Sequence, residues 1–226
     1  MSGSIISNRE TGVCIPCPGV QLHADLSIPA NATGLIVCAH DGGSNRSSPR
    51  NQLVMREMHR RRFTTLSLDL LTPAETSDAA QAGSLRLDVE LLAERLEAVI
   101  QWIRQAEELK RPDMGFLAAN TISAAALVAG TRLSGIKAIV SHSGRTDLAA
   151  EVIDRVRIPT LLIIGELDHQ TGVVNRRTFD SLKGPKDLTI VRSASRFFTE
   201  PGALEAVSRY GACWFETHLS GTPLVS

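Results

Sequence analysis

The sequence predicts one α/β domain with a mostly parallel central sheet and helices on both faces. Short, continuous apolar runs of strand length alternate along the chain with longer stretches that have the spacing of amphipathic helices. The run Leu35–Ala39 shows no polar alternation, which is expected of a strand that is buried on both faces. The length of 226 residues is sufficient for one such domain with a full core, and we interpret residues 1–226 as a single domain.

The predicted strands begin with an N-terminal pair that is joined at a Pro-Gly turn, residues 18–19. The later strands are apolar runs bounded by Gly, Pro or polar residues. In chain order the predicted strands are Val13–Cys17, Gln21–Ile28, Leu35–Ala39, Thr64–Leu68, Ile136–Ser141, Thr160–Ile164 and Asp187–Val191, with a further strand that begins at Met114.

The first predicted helix, Pro49–Arg61, carries a proline in its first turn. Backbone N–H groups in the first turn form no hydrogen bond within the helix, so the missing N–H of proline costs nothing there. A long amphipathic helix over Leu85–Ala106 is predicted from apolar residues spaced three or four apart. Two further helices are predicted over Val173–Leu182 and Gly202–His218. Strands and helices that alternate in this way give parallel strands whose carboxyl ends share one edge of the sheet, and ligands bind beyond that edge.

The composition is that of an ordinary soluble protein, with 43 % hydrophobic residues, 21 % charged residues and a formal net charge of zero. The neutral charge argues against a nucleic-acid partner, and no apolar run approaches the ~18 residues of a membrane span. The N-terminus lacks the basic and apolar segments of a signal peptide, so we expect a cytoplasmic protein. The basic run at residues 59–62 is interpreted as a solvated helix end rather than a partner site. The oligomeric state is left open, and a homo-oligomer is compatible with the sequence.

Cys14 and Cys17 form a C-x-x-C pattern, but they lie in an extended N-terminal hairpin and not at the start of a helix, where a redox motif would be. No second pair completes a zinc site, and no glycine-rich loop suited to phosphate binding is present. We therefore predict no cofactor and no metal, and we expect the partner to be a small-molecule ligand or substrate.

Four loops leave the predicted carboxyl edge of the sheet, after Ala39, Ala118, Gly165 and Val191. Because these loops converge at one edge, we interpret the polar residues that they carry as members of one site.

The stretch Met114–Ala126 has the layout of a nucleophile elbow, in which a strand, a tight turn and a helix of small residues present a serine at the centre of a G-x-S-x-G motif. Here the central residue is Asn120, and Ala118 and Ile122 take the places of the two glycines. After the last predicted strand, where a catalytic histidine would be expected, the segment at 193–198 offers Arg196.

Three stretches resemble the α/β-hydrolase superfamily, in particular its dienelactone-hydrolase-like branch. Ala39–Asn51 is similar to the oxyanion loop of that family, Leu68–Pro73 to its fourth-strand loop, and Leu162–Asp168 to the strand that delivers the acidic triad member. The similarity is greatest to small bacterial hydrolase domains that can occur fused to phosphoribosyltransferases, and it extends over about Val13–His218. It implies an α/β-hydrolase fold with a minimal cap domain or none.

By this resemblance, Asp168 is in the position of the triad acid, Asn120 in that of the nucleophile and Arg196 in that of the catalytic histidine. His40 matches the histidine that opens the oxyanion loop, and Asp41 replaces the glycine that usually follows it. We assign further residues to the oxyanion position and the pocket, namely Thr121 through its backbone N–H, Gly42, His142 and His169.

The two replacements change the chemistry that the site can perform. An asparagine amide has neither a hydroxyl nor a thiol to act as a nucleophile, and arginine stays protonated and accepts no proton. Hydrolysis would need relocated residues, for which Ser123 and the pair His142 and Ser143 are candidates.

Three hypotheses remain open. The first is an enzyme that performs a non-hydrolytic reaction on a small carbonyl compound, such as a cyclisation, an isomerisation, an elimination or the formation of a carbon–carbon bond. The second is a non-catalytic protein that binds a ligand or acts as a scaffold. The third is an esterase or lactonase with relocated catalytic residues.

Arg196 allows two arrangements. It can form a bidentate pair with Asp168 that holds the loops in shape, or it can point into the pocket and bind an anionic group. The backbone N–H of Thr121 would still point at the oxyanion position. His40 and Asp41 are the titratable pair expected near the site, either as general acid and base or with His40 bonded to a neighbouring loop.

Overall fold

The computed structural model describes residues 9–41, 46–109 and 112–219. The strands are β1 (Arg9–Cys17), β2 (Val20–Ile28), β3 (Leu35–His40), β4 (Thr64–Asp69), β5 (Met114–Ala119), β6 (Ile136–His142), β7 (Thr160–Gly165) and β8 (Lys186–Val191). The α-helices are α1 (Pro49–Arg60), α2 (Pro73–Thr76), α3 (Ala79–Leu87), α4 (Val89–Gln105), α5 (Asn120–Arg132), α6 (His169–Ser181) and α7 (Ala203–His218).

Within these residues the strands form one eight-stranded sheet in the order β1-β2-β4-β3-β5-β6-β7-β8. β2 pairs antiparallel with both β1 and β4, whereas every pairing from β4 through β8 is parallel. The prediction of a mostly parallel sheet is therefore confirmed. Because the parallel strands point the same way, the loops that follow them meet at one edge of the sheet.

Apolar residues cover both faces of the sheet, as the continuous apolar runs predict. One face packs against α4 and α5, and the other packs against α1 and α7. On the second face the ring of Phe215 lies over Gly115, where a Cβ atom would come within 2.6 Å of the ring. The same ring meets the edge of Phe63, with 6.2 Å between the two ring centroids. Glycine at position 115 therefore lets α7 approach the centre of the sheet.

The helix predicted over Leu85–Ala106 is two helices in the structure, and they meet at Asp88. Asp88 has φ −78° and ψ 85°, which is outside the helical region, and its side chain accepts a hydrogen bond from the N–H of Leu91 at 3.0 Å. This cap starts α4 and ends α3. Apolar residues keep their spacing across the break, which is why the sequence pattern does not reveal it.

The helix predicted to start at Val173 begins four residues earlier, at His169. The side chain of Asp168 accepts a hydrogen bond from the N–H of Thr171 at 3.2 Å and so caps α6. The capping carboxylate belongs to a residue that the sequence assigns to the functional site.

Cys14 and Cys17 lie in β1, and both are free thiols. In the parts of the chain that the structure describes, no three His, Cys, Asp or Glu side chains are grouped as a metal ion would require. Over the same residues, no helix combines the length and the apolar character that crossing a membrane demands.

Candidate functional site

A cavity of about 430 Å³ opens at the carboxyl edge of the sheet. Its walls come from the end of β3, from α1, from the turn between β5 and α5, from the end of β6 and from the loop after β8. The described residues that carry polar side chains to its wall are His40, Asp41, Arg50, Asn51, Asn120, His142, Ser143, Arg196 and Thr199.

Asn120 lies at the floor of the cavity, where β5 ends and α5 begins. Its φ of +49° is in the left-handed region, which asparagine enters more readily than most residues. Its backbone carbonyl accepts a hydrogen bond from the N–H of Arg145 at 2.9 Å. No side chain caps the start of α5. The strand, the strained turn and the helix of small residues therefore form the elbow that the sequence predicts.

Arg196 is brought to Asn120 by the loop that follows β8. The Nη2 of Arg196 donates a hydrogen bond to Oδ1 of Asn120 at 3.2 Å. The carbonyl of Arg196 accepts a hydrogen bond from Oγ of Ser143 at 2.6 Å. The loop is also bonded to the turn after β7, where the N–H of Leu167 donates to the carbonyl of Ala194 at 3.0 Å. The Nε of Arg196 is buried and has no hydrogen-bond partner among the described residues.

Asp168 is buried, but it does not line the cavity and forms no ion pair with Arg196 among the described residues. One of its oxygens caps α6, and the other, Oδ2, is buried and has no hydrogen-bond partner in the described parts of the chain. The bidentate Asp168–Arg196 pair that the sequence allows is therefore absent, because the guanidinium bonds to Asn120 instead. Arg196 reaches the cavity, as the second of the two predicted arrangements requires, and the binding of an anionic group stays a prediction.

His40 ends β3 at the wall of the cavity, and both of its ring nitrogens have partners. Asn51 places its Nδ2 3.2 Å from Nδ1, and the hydroxyl of Ser67 lies 3.4 Å from Nε2. An amide nitrogen only donates, so Nδ1 is the acceptor and Nε2 carries the proton. Burial lowers the pKa of His40, and the negative charges of Asp69 and Asp41 oppose that shift. The ring is thus held as a neutral bridge between β3, α1 and β4.

Asp41 lies at the wall of the cavity, and its backbone carbonyl accepts a hydrogen bond from Nε of Arg86 at 3.1 Å. Gly42, which the sequence assigns to the oxyanion loop, lies outside the described residues.

His142 is the last residue of β6, and it is opposite Ala119 in the register between β5 and β6. It is therefore the neighbour of the elbow on the adjacent strand. Its ring meets Phe198 edge to face, with 6.0 Å between centroids, and no hydrogen bond to the ring is made by the described residues. Burial, helped by the positive charges of Arg50 and His40, lowers the pKa of His142 to about 3. The imidazole is neutral at physiological pH.

Arg50 is a cavity residue that the sequence reasoning missed. It lies in the first turn of α1, and burial lowers the pKa of its guanidinium. No described residue forms a hydrogen bond or an ion pair with it. The available signal was its position directly after Pro49, which fixes the start of the helix behind the oxyanion loop.

One assigned pocket residue lies elsewhere, since His169 is exposed at the start of α6 and lines a different depression, together with Asp168. Thr121, which was assigned through its backbone N–H, directly follows Asn120 in the first turn of α5, and its side chain is buried there. Its role at the oxyanion position stays a prediction. Ser123, the candidate relocated nucleophile, is fully buried in α5 and also lies away from the cavity wall.

The structure is similar to the crystal structure of a dienelactone hydrolase from Anabaena variabilis, with 37 % sequence identity and a TM-score of 0.90 over 94 % of this chain and 99 % of that chain. The chain belongs to the dienelactone hydrolase family. A dienelactone hydrolase-like promiscuous phosphotriesterase from metagenomic libraries shares the fold with this family member, with a TM-score of 0.73 and 16 % identity over 95 % of this chain and 100 % of that one. No protein-family model matches the sequence.

Two curated proteins from Mycobacterium tuberculosis strains, both with a provisional phosphoribosyl transferase name, are 37 % identical to this dienelactone hydrolase family member over 215 residues. The match takes in 94 % of this chain and 47 % of theirs, so the chain spans about half the length of the curated relatives it matches. The sequence-based resemblance to dienelactone hydrolase-like domains with phosphoribosyltransferase-linked relatives is therefore confirmed.

Proposed function

We propose that the cavity binds a small carbonyl compound and transforms it without a covalent enzyme intermediate, by cyclisation, isomerisation, elimination or carbon–carbon bond formation. The observation that carries this proposal is the amide of Asn120 on the strained elbow, with its Oδ1 bonded to Arg196 at 3.2 Å. The elbow geometry is that of a hydrolase, and the group that it presents is not a nucleophile.

The other cavity groups do not replace the nucleophile. The hydroxyl of Ser143 donates its proton to the carbonyl of Arg196 at 2.6 Å. Cys38 also reaches the cavity wall, but burial raises the pKa of its thiol, so the reactive thiolate is not formed at neutral pH. Neither group is hydrogen bonded to an imidazole among the described residues. A relocated acyl-transfer pair is therefore not supported.

The amide of Asn120 has a defined polarity that suits a carbonyl ligand. Arginine only donates hydrogen bonds, so the atom that faces Arg196 must be the amide oxygen. The Nδ2 group of Asn120 then presents its N–H donors away from Arg196. A donor at this point stabilises negative charge that develops on a carbonyl oxygen, as in an enolate, and it needs no bond to carbon. The partial positive charge at the start of α5 acts in the same direction.

Ligand binding without turnover is the second candidate. It is favoured by His40, whose two ring nitrogens are both engaged with Asn51 and Ser67, so that this histidine holds the structure together instead of moving protons. The cavity of about 430 Å³ supports a ligand in either case.

The test compares the wild-type chain with the double variant N120S/R196H. We expect no labelling of the wild type by a fluorophosphonate probe and no hydrolysis of p-nitrophenyl acetate above the background rate. The double variant restores a hydroxyl on the elbow and an imidazole beside it, so labelling at position 120 and measurable hydrolysis are expected. N120S alone is the control and should react far more slowly, because it lacks the base.

Fluorophosphonate labelling of the wild type at Ser143 or another serine, together with ester hydrolysis, would contradict the proposal. To separate turnover from binding, wild type and N120A are incubated with acetoacetate and pyruvate and followed by proton NMR. Consumption of a compound by the wild type and its loss in N120A support the enzyme, and saturable line broadening without consumption supports the second candidate.

A further inference from the structure

A second depression, of about 560 Å³, lies between α1 and the antiparallel hairpin of β1 and β2, with β4 in its floor. We call it the hairpin groove. Helix α1 contributes Gln52, Met55, Arg56 and His59 to its wall. Among the described lining residues, Met55 is the one that the groove shares with the cavity at the elbow. The two sites are therefore on different sides of one helix.

The floor of the hairpin groove carries hydroxyl groups. In the register between β2 and β4, Ser27 is opposite Thr65 and Asp25 is opposite Ser67, so these side chains share one face of the sheet. The three hydroxyl residues are each at most 6 % exposed. On the same face the neighbouring strand β3 carries apolar residues, which pack in the core beside α1 and α7. The polar part of this face thus coincides with the groove.

Two of the floor hydroxyls are held by histidines. Nε2 of His59 lies 2.7 Å from Oγ1 of Thr65, and Nε2 of His40 donates to Oγ of Ser67 at 3.4 Å. Because the oxygen of Ser67 accepts that bond, its own proton remains to be donated. The hydroxyl of Ser27 forms no hydrogen bond with a described residue. The floor therefore offers both donors and acceptors.

The charges on the walls of the groove balance. The described charged residues that line it are Glu10, Asp25, Arg46 and Arg56, two of each sign. Nε of Arg46 donates to Asp25 at 2.9 Å, so one pair is already joined. Burial lowers the pKa of His59, so its imidazole adds no charge at neutral pH. A ligand with a net charge would be attracted by one sign and repelled by the other.

We propose that the hairpin groove is a second ligand site, for an uncharged polyhydroxylated compound about the size of a monosaccharide. Hydroxyl groups of such a compound donate to the carboxylates of Glu10 and Asp25 and accept from Gln52 and Arg56, and they also pair with the floor hydroxyls. The volume is within the usual ~300–1,000 Å³ of small-molecule sites. The inference does not depend on the proposed function, because the groove contains no residue of the elbow.

Gly12 leaves the groove open on the side of β1. It is opposite Asp25 in the register of the hairpin, so a side chain at this position would lie on the face of the groove. A Cβ atom on Gly12 would meet no heavy atom within 4 Å. The substitution G12W therefore fills the groove without displacing the core.

Titration of the full chain with D-glucose, D-xylose and myo-inositol tests this site, followed by two-dimensional proton–nitrogen NMR. We expect saturable shifts of the backbone amide signals of Ser27 and Ser67, with a Kd of about 1–10 mM for at least one of the three compounds. The amide signals of Asn120 and Ser143, in the other cavity, should shift far less. Glycine and succinate, which carry charges, should produce no saturable shift at the groove.

Two variants assign the binding to the groove. G12W should abolish the saturable shifts, and Q52A should raise the Kd about fivefold, because the ligand loses one hydrogen bond. G83W is the control for the added indole, since a Cβ atom on Gly83 also meets nothing within 4 Å and Gly83 lies in α3, outside the groove. Q101A is the control for Q52A, because Gln101 is exposed on α4. Both controls should bind as the wild type does, and thermal unfolding verifies that each variant is folded.

The inference would be overturned by the absence of saturable shifts with all three polyols at up to about 100 mM. Shifts that map to the elbow cavity, binding of glycine or succinate in place of the polyols, or an unchanged Kd in folded G12W or in Q52A would also overturn it. None of these results bears on the proposed function, because fluorophosphonate labelling and the NMR assay of turnover use the wild-type elbow and no polyol.

Discussion

Asn120 combines a strained backbone with a side chain whose direction is fixed by its partner. Its φ is +49°. Ser143, which also lines the cavity, has a similar φ of +48°, and Phe198, whose neighbours Phe197 and Thr199 line the cavity, has φ +49°. Left-handed conformations of residues other than glycine are uncommon, and they cluster at functional sites where the surrounding structure maintains them. Three of the six such residues that the structure describes, Asn120, Ser143 and Phe198, lie at the cavity or next to it, and this grouping supports the proposal of a ligand site.

Replacement of Asn120 separates the backbone strain from the side-chain bond. N120G and N120A both remove the amide and its bond to Arg196, but only glycine adopts φ +49° at little cost. We expect N120G to have a free energy of unfolding about 1 kcal/mol higher than that of N120A. Urea denaturation of the two variants measures this difference. Equal stability would mean that the turn relaxes when the amide is lost.

Some contacts between individual residues of the site could be predicted from the sequence. Asn120 and Arg196 are 76 positions apart in the sequence, yet the order of strands and the elbow pattern predict that they lie together. In the structure Nη2 of Arg196 is 3.2 Å from Oδ1 of Asn120. The partner of Arg196 is not predictable in the same way, because the sequence offers two possible acceptors, Asp168 and Asn120, and does not decide between them. Arg50 was missed because its position after Pro49 predicts only that it lies in the first turn of a helix, which does not distinguish a cavity arginine from a solvated one.

Among the elements, the buried strands are the part that the sequence predicts well, because a strand covered on both faces must be apolar throughout. Helix boundaries are less accessible to this reasoning. Asp88 interrupts a continuous apolar stripe, and Asp168 starts α6 four residues early. Both are capping aspartates, whose effect depends on a hydrogen bond to a backbone N–H three residues later and not on hydrophobic spacing.

The end of β7 positions the loop that carries Arg196. A Cβ atom on Gly165 would overlap the carbonyl oxygens of Ala194 and Ser195, both of which are backbone atoms. We expect G165A to lower the free energy of unfolding by about 1–3 kcal/mol and to move the loop away from Asn120. Chemical denaturation measures the loss, and a crystal structure of G165A shows whether Arg196 has moved away from Asn120.

Gly172 provides the matched control for this substitution. It lies inside α6, and a Cβ atom there would meet the Cδ1 of Ile164 at 3.6 Å, which is an ordinary contact. G172A should raise the free energy of unfolding by about 0.5–1 kcal/mol, because alanine is the better helix former. If G165A were as stable as G172A, the close approach of the two loops would not exist in solution.

Over the whole molecule, charge is distributed unevenly although the formal net charge is zero. Ion pairs between described residues lie at the surface or between helices, as with Arg132 and Glu90. Arg50 and Arg196 are partly exposed at the cavity and form no ion pair among the described residues. A formal net charge of zero is therefore compatible with local positive charge at one site, because the nearest charges set the potential at short range.

The pair of Glu75 and Arg95 should dominate the acid sensitivity of the fold. The side chain of Arg95 is 4 % exposed, and it bonds both to Glu75 and to the carbonyl of Leu70, so that it ties α4 to α2 and to the end of β4. Hydrogen bonds from Arg95, together with those from Thr72, lower the pKa of Glu75 to about 2. A lowered pKa in the folded state means that the stabilisation is complete above about pH 4.5 and is lost as the pH falls towards 2.

We expect E75Q to reduce the free energy of unfolding by about 2–3 kcal/mol at pH 7 and by much less at pH 2.5, where the wild type has begun to lose the same interaction. Glutamine still accepts the hydrogen bonds of a capping box with Thr72, so the substitution removes the charge and leaves the cap. E90Q is the control, because Glu90 and Arg132 form an exposed pair, and it should cost under about 1 kcal/mol. Urea denaturation of the three proteins between pH 2.5 and 7 measures these differences. A stability difference between E75Q and the wild type that is constant over this range would show that the carboxylate of Glu75 is not held in its charged form by Arg95.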